Sequence, residues 1–182
     1  MFRTLLALLL AAFLVAGPAW ARPPKDDEKQ ALIAKVEEFK TAFGANDMGH
    51  VFGMMPPRVL DYVATASGAS VGELQKQMQA AWADVLKTVT VESFTMDADG
   101  AQYRELEDGT PFALLPTETI MSIDKDGHKQ RVAARSQTLG LLDGSQWYLV
   151  RIDEPKQLTV IRKVYPEFEN VELPKGTMEA LN

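Results

Sequence analysis

The chain has 182 residues, 46% of them hydrophobic and 24% charged, with a formal net charge of −6, two histidines and no cysteine. No cysteine means no disulfide scaffold and no lipidated N-terminal cysteine, and two histidines alone cannot close a structural zinc site. An acidic chain also lacks the basic footprint of a non-specific nucleic-acid surface, so no nucleic-acid partner is expected.

Residues 1–21 read as a cleavable signal peptide. Arg3 supplies the positive end, and Leu5 to Gly17 form an uncharged apolar run. Pro18-Ala19-Trp20-Ala21 then sets small residues for cleavage after Ala21. The run is too short to span a bilayer and no later segment is long and apolar enough, so no membrane span is expected after cleavage. The expected location is extracytoplasmic, with the periplasm placed ahead of secretion. Residues 22–182 have the length of one domain.

Arg22-Pro23-Pro24-Lys25 is an extended leader. Asp26 and Asp27 open a helix whose Leu32, Ile33, Val36, Phe39 and Phe43 share one face, and Gly44 and Asn46 end it. Asp47 caps a short helix from Met48 to Met55, which Pro56-Pro57 stops. Pro57 starts another, Arg58 to Thr65, presenting Leu60 and Val63. Ser67-Gly68-Ala69 breaks the chain. Ser70-Val71-Gly72-Glu73 is a capping box, and Val71, Leu74, Met78, Ala81, Trp82, Val85 and Leu86 follow at helical spacing.

After Lys87 the period changes. Strands are predicted at Thr88 to Met96, Tyr103 to Leu106, Phe112 to Ile123, Lys129 to Leu142 and Gln146 to Ile152. Asp97-Ala98-Asp99-Gly100, Asp108-Gly109, Asp126-Gly127 and Asp143-Gly144 supply the turns. A last helix starts near Asp153-Glu154-Pro155, with Leu158, Ile161, Val164 and Tyr165 on its apolar edge, and a Pro-punctuated tail follows. The fold class is α+β: N-terminal helices packed on a curved antiparallel sheet, with a C-terminal helical tail from about residue 153.

Two-residue loops at the Asp-Gly pairs set the register. Lys125 then pairs with His128 and Leu142 with Ser145. Glu118 falls opposite Arg135, Gln137 opposite Val150, Leu139 opposite Tyr148 and Gly140 opposite Trp147. One face carries Leu114, Pro116, Glu118, Ile120, Arg135, Gln137, Leu139, Tyr148, Val150 and Ile152, and is assigned to the space beneath the first and third helices. The other carries Leu115, Thr117, Thr119, Met121, Ala134, Ser136, Thr138, Trp147, Leu149 and Arg151. It is expected to face solvent or, in a homodimer, a second copy. A slip of one residue would exchange the faces, whereas a slip of two preserves them.

The order of elements, the Asn46-Asp47 pair and the strand Gly144-Ser145-Gln146-Trp147-Tyr148-Leu149-Val150 resemble the nuclear-transport-factor-2-like superfamily. This is the cone-shaped, cystatin-like α+β fold that includes ketosteroid isomerase and the SnoaL-like cyclases. The resemblance covers roughly Asp27 to Ile152. It departs where the early hairpin of that fold is replaced by helix from Pro57 to Ser67, and again beyond Asp153, where a tail is added. It implies a ligand chamber inside the cone. A ketosteroid-isomerase-like site would set carboxyl groups around an apolar pocket, which Tyr148 and Glu118 would imitate in part.

Glu118, Arg135, Gln137, Tyr148, Tyr62 and Trp82 form the candidate ligand-binding set. A carboxylate held by a guanidinium can fix a polar ligand, or be an ordinary cross-strand ion pair. Met48, Met54, Met55 and Met78, with Trp82 and Tyr62, make either a soft apolar lining or plain core. His50 reads as a general base or as an exposed helix residue without an orienting partner, and His128 as a solvated residue beside a turn. No Gly-x-Ser-x-Gly, phosphate loop or metal-spaced His pair occurs, so no catalytic residue, metal or cofactor is assigned. The function expected is a non-enzymatic exported protein binding a small apolar or amphipathic ligand. An isomerase or lyase of the ketosteroid-isomerase type, or an envelope protein–protein interaction module, are the alternatives.

Overall fold

The computed structural model describes residues 24–125 and 127–181, so the signal-peptide reading lies outside the described residues. Helix α1 (Asp26–Gly44) begins with Asp26, Asp27 and Glu28 in its first turn, where their charge meets the positive end of the helix dipole. It ends at Asn46, whose φ of 55° is the left-handed stop expected of that residue. Asp47 caps α2 (Met48–Gly53) by accepting from the His50 backbone N–H at 3.1 Å. Pro57 opens α3 (Pro57–Ser67), and the Ser70–Glu73 capping box opens α4 (Val71–Val85).

The strands are β1 (Val89–Met96), β2 (Gln102–Glu105), β3 (Pro111–Lys125), β4 (His128–Asp143) and β5 (Gln146–Arg151). They form a curled antiparallel sheet in the order β1-β3-β4-β5, with β2 beside β1 on the outer edge of β3. The expected α+β class stands: helices first, then an antiparallel sheet.

Three expectations change. The β3–β4 register is as predicted, with Lys125 opposite His128 and Glu118 opposite Arg135. The β4–β5 register is displaced by two residues: Leu139 pairs with Val150, Gly140 with Leu149, and Asp143 with Gln146. The loop is Gly144-Ser145 rather than Asp143-Gly144, because Gly144 takes the first turn position at φ 65°, where a type II′ hairpin wants glycine. Faces survive this slip.

The second change concerns the first helix, which lies on the opposite face from the one assigned to it. Leu32 and Val36 pack with Ala113, Leu115, Trp147 and Leu149, and the Trp147 indole N–H donates to the Glu28 carbonyl at 2.8 Å. Gly140 lets the helix approach: a Cβ there would meet Leu32 Cδ1 at 3.1 Å and Ala113 Cβ at 3.4 Å. The face expected to be outer, and offered to a second copy, is therefore covered by α1 at Trp147 and Leu149. Thr138 on that face is only 5% exposed.

The third change is the tail. Helix α5 (Pro155–Val164) and a 3-10 turn at Pro166–Phe168 are followed by a strand, β6 (Thr177–Leu181), so the tail is helical only in its first part. The α5 side chain Ile161, with Tyr165, Phe168 and Leu173 beyond it, packs with Phe112, Leu114, Leu139, Leu141, Val150 and Ile152 on the face left open by α1. Val59 of α3 joins this core. The Glu172 carbonyl accepts from Arg104 of β2, and five residues later Thr177 pairs with Arg135 of β4. The segment between them thus straps across the sheet from one edge to the other. Gly176 permits the crossing, since a Cβ there would lie 2.6 Å from Asp153 Cβ.

Candidate functional site

Beyond α1 and α5 the long β3–β4 hairpin continues with β1 and β6 along its edges, Val132, Ala133 and Ala134 still buried and several charged side chains at the surface. Antiparallel pairing sets Thr95, Glu118, Arg135 and Thr177 in one row across β1, β3, β4 and β6. Residues paired directly across strands point to the same side, so this row presents its side chains together. Arg135 Nε donates to Glu118 Oε2 at 2.6 Å and Nη1 to Glu179 Oε2 at 2.7 Å. The two carboxylates hold the guanidinium pKa above its ordinary value, chiefly through the Glu118 hydrogen bond. The pair is half exposed, with side chains 49% and 36% accessible.

Beside this row is an open cleft of about 320 Å³, bounded by Thr95, Asp97, Pro116, Glu118, Arg135 and Gln137. Thr117 and Ser136 complete its wall. Asp97 is fixed by its turn, accepting from the Asp99 and Gly100 N–H groups at 3.0 Å each. Gln137 carries a buried Oε1 that has no hydrogen-bond partner among the described residues. An unsatisfied buried acceptor is uncommon, and leaving one costs about 1–3 kcal/mol.

The structure brings three of the six candidate residues together: Glu118, Arg135 and Gln137. Tyr148 does not join them. It pairs with Leu141, six residues along β4 from Arg135, roughly 20 Å away at strand rise. Tyr148 lies instead at the end of the sheet where Tyr165 donates its hydroxyl to Asp143 Oδ2 at 2.8 Å. Burial, then that carboxylate, pushes the Tyr165 phenol well above its usual range. Arg58 of α3 stacks 4.3 Å from the Tyr165 ring centre and donates to the Val164 carbonyl, tying α3 to α5. Tyr62 belongs to that helix and is 37% exposed.

Trp82 sits where α4 meets α1. Its ring packs against Phe43, 5.8 Å between centres, and its N–H donates to Asn46 Oδ1 at 3.0 Å. Met48 and Met54 are buried between α1 and α4, Met55 packs beneath the tail, and Met78 lies against Leu74. These methionines pack in the hydrophobic clusters, Met48 and Met54 buried and Met55 and Met78 partly so.

His50 has the orienting partner that the sequence did not reveal. Its Nε2 lies 2.7 Å from Glu38 Oε1, and Glu38 also accepts from Lys35 at 2.6 Å. Both bonds lower the Glu38 pKa, the Lys35 bond most. The signal that would have revealed it is weak: Glu38 sits twelve residues upstream, on a different helix, and only the α1–α2 packing brings the two together. The group is solvent-exposed and stands apart from the cleft.

Among the described residues, no group of three or more His, Asp or Glu is placed to hold a metal ion. No helix among them is long and apolar enough to cross a membrane. No protein-family model, curated protein or solved structure matches the chain.

Proposed function

We propose that this chain is an exported, non-enzymatic binding protein whose small amphipathic ligand seats its polar end in the Glu118–Arg135–Gln137 cleft. One observation carries the reading: strand register gathers a clamped guanidinium, a carboxylate and an under-satisfied amide around a single open cleft. Pockets that bind small molecules combine a few convergent polar groups with a rigid scaffold, and here the scaffold is the paired centre of a sheet.

The reading places the ligand in the cleft rather than beneath the helices, where side chains from both sides pack together. Leu32, Val36, Leu115 and Trp147 fill the space under α1, and the tail fills the other face. The nuclear-transport-factor-2-like cone is retained as the proposed ancestry, supported by helices preceding a curled antiparallel sheet with α1 lying on it. The periplasm is retained as the proposed location, on the residues 1–21 pattern.

The test is a thermal-shift and native mass spectrometry screen of amphipathic small molecules against the purified protein and Arg135→Ala. The reading expects at least one hit whose binding is lost in Arg135→Ala while the far-ultraviolet spectrum is unchanged. Hits that bind both proteins equally would overturn it. Fractionation of the native host, with N-terminal sequencing of the mature chain, tests export: a chain retained uncleaved in the cytoplasm would contradict it.

A further inference from the structure

Beyond α1 and α5 the two faces of the sheet differ in charge. On one, Glu118 and Arg135 share a row, and Glu92 accepts from Ser122 and Arg131. On the other, Val91, Met121, Val132 and Ala180 form a row. The row beside it runs from Phe94 through Thr119 and Ala134 to Met178. Neither of these last two rows carries a charge. The β1 bulge between Val91 and Ser93 produces the contrast. It keeps Val91 and Phe94, three residues apart, on the uncharged face and turns Glu92 to the other.

Helix α1 reaches the Phe94 end of this uncharged face, where Phe39 and Phe43 lie 5.6 and 4.6 Å from the Phe94 ring between centres. Val91, Met121 and Val132 join none of the hydrophobic clusters formed by the described residues. Met178 is 62% exposed, more than any other large hydrophobic side chain among them.

We propose that a second copy of this chain covers the uncharged face, sheet against sheet about a two-fold axis. A two-fold contact sets a surface against itself, so any charge near its centre meets its own like, and a face without charges avoids that cost. Elsewhere two copies repel, since each carries a net charge of −6. Four strands about 4.8 Å apart and about six residues long offer roughly 400 Å² of flat sheet per copy. That is half of the about 800 Å² per partner in a standard interface, so the dimer is a weak and reversible one. The ligand reading above does not depend on it, because Glu118 and Arg135 lie on the opposite face.

The test is sedimentation velocity of the protein, as processed in the cell, from about 1 μM to about 1 mM, with methionine-methyl spectra over the same range. The expected result is a dimer that forms in the range of about 10–100 μM and tightens as salt is raised, because screening removes the net repulsion. The Met121 and Met178 methyls are expected to shift with concentration while those of Met48 and Met54 hold still. Met178→Glu places a carboxylate on the uncharged face and is expected to weaken the dimer at least about tenfold. Thr177→Glu, one residue away on the charged face, is expected to leave it unchanged. A monomer at every concentration would overturn the proposal. So would a dimer that survives Met178→Glu with the Met121 methyl unmoved, since another surface would then join the copies. A monomer whose Met121 and Met178 methyls respond to octanol would overturn it too, giving the face to a small apolar guest.

Discussion

The two halves of the β3–β4 hairpin have opposite fates. Its near half, Phe112 to Leu115 against Thr138 to Leu141, is buried on both faces, under α1 on one side and the tail on the other. In its far half, Pro116 to Lys125 and His128 to Gln137, Arg135 donates to Glu118 while Ser122 and Arg131 both donate to Glu92 of β1, all at the surface. The difference teaches where a site can form on such a sheet. A strand covered on both faces spends its side chains on packing, and only where the covers end can polar groups converge without being buried unpaired.

Breaking the near half should be severe. A chain ended after Ile152 loses Ile161, Tyr165, Phe168 and Leu173 from the core and exposes Phe112, Leu114 and Leu139. It is expected to show no cooperative thermal transition by calorimetry, and a sharp transition would contradict the packing role given to the tail. Phe168→Ala, at a fully buried ring stacked edge-on 5.2 Å from Phe112, should cost about 3–5 kcal/mol in urea unfolding. Ile120→Ala in the far half, where the side chain is only half buried, should cost about 1 kcal/mol. Equal losses at the two positions would erase the distinction between the halves.

Tyr165→Phe removes the bond to Asp143 and should cost about 1–3 kcal/mol near neutral pH. Because the folded phenol pKa is raised above its unfolded value of 10.0, its contribution is complete below pH 10.0 and is lost as pH rises beyond it. The wild-type protein should therefore lose stability in alkali more steeply than Tyr165→Phe, as read by unfolding midpoints from pH 9 upward.

Much of this architecture is legible in the chain. The Ser70 box, the Asp47 cap and the turn that pairs Lys125 with His128 act through neighbours within three residues, so local chemistry reports them. The Glu118–Arg135 pairing follows from one turn and the period of two. The side taken by α1 was not legible, because both sheet faces carry large apolar residues: Leu114 and Leu139 on one, Leu115 and Trp147 on the other. Which face a helix chooses then depends on fit, here the bare Gly140 beside Ala113, rather than on hydrophobicity. Strand β6 was hidden for a different reason. Thr177–Leu181 is almost wholly exposed and its pairing is decided by the strap that delivers it to β4.

The smallest effect is expected outside both halves, at the α1–α2 junction. The Glu38 carboxyl, lowered by Lys35 and then His50, contributes stability above its unfolded value of 4.5, and this is lost as pH falls through the lower folded value. Glu38→Gln should flatten the acid limb of the stability profile slightly below pH 4.5 and leave neutral stability nearly unchanged.

The ligand is proposed to meet the far half of the hairpin. A crystal structure of the protein with a hit from the binding screen tests it most directly. Ligand density is predicted against Glu118, Arg135 and Gln137, with Leu32 and Trp147 still in contact under α1. Density lodged beneath α1, with those two side chains displaced, would contradict it.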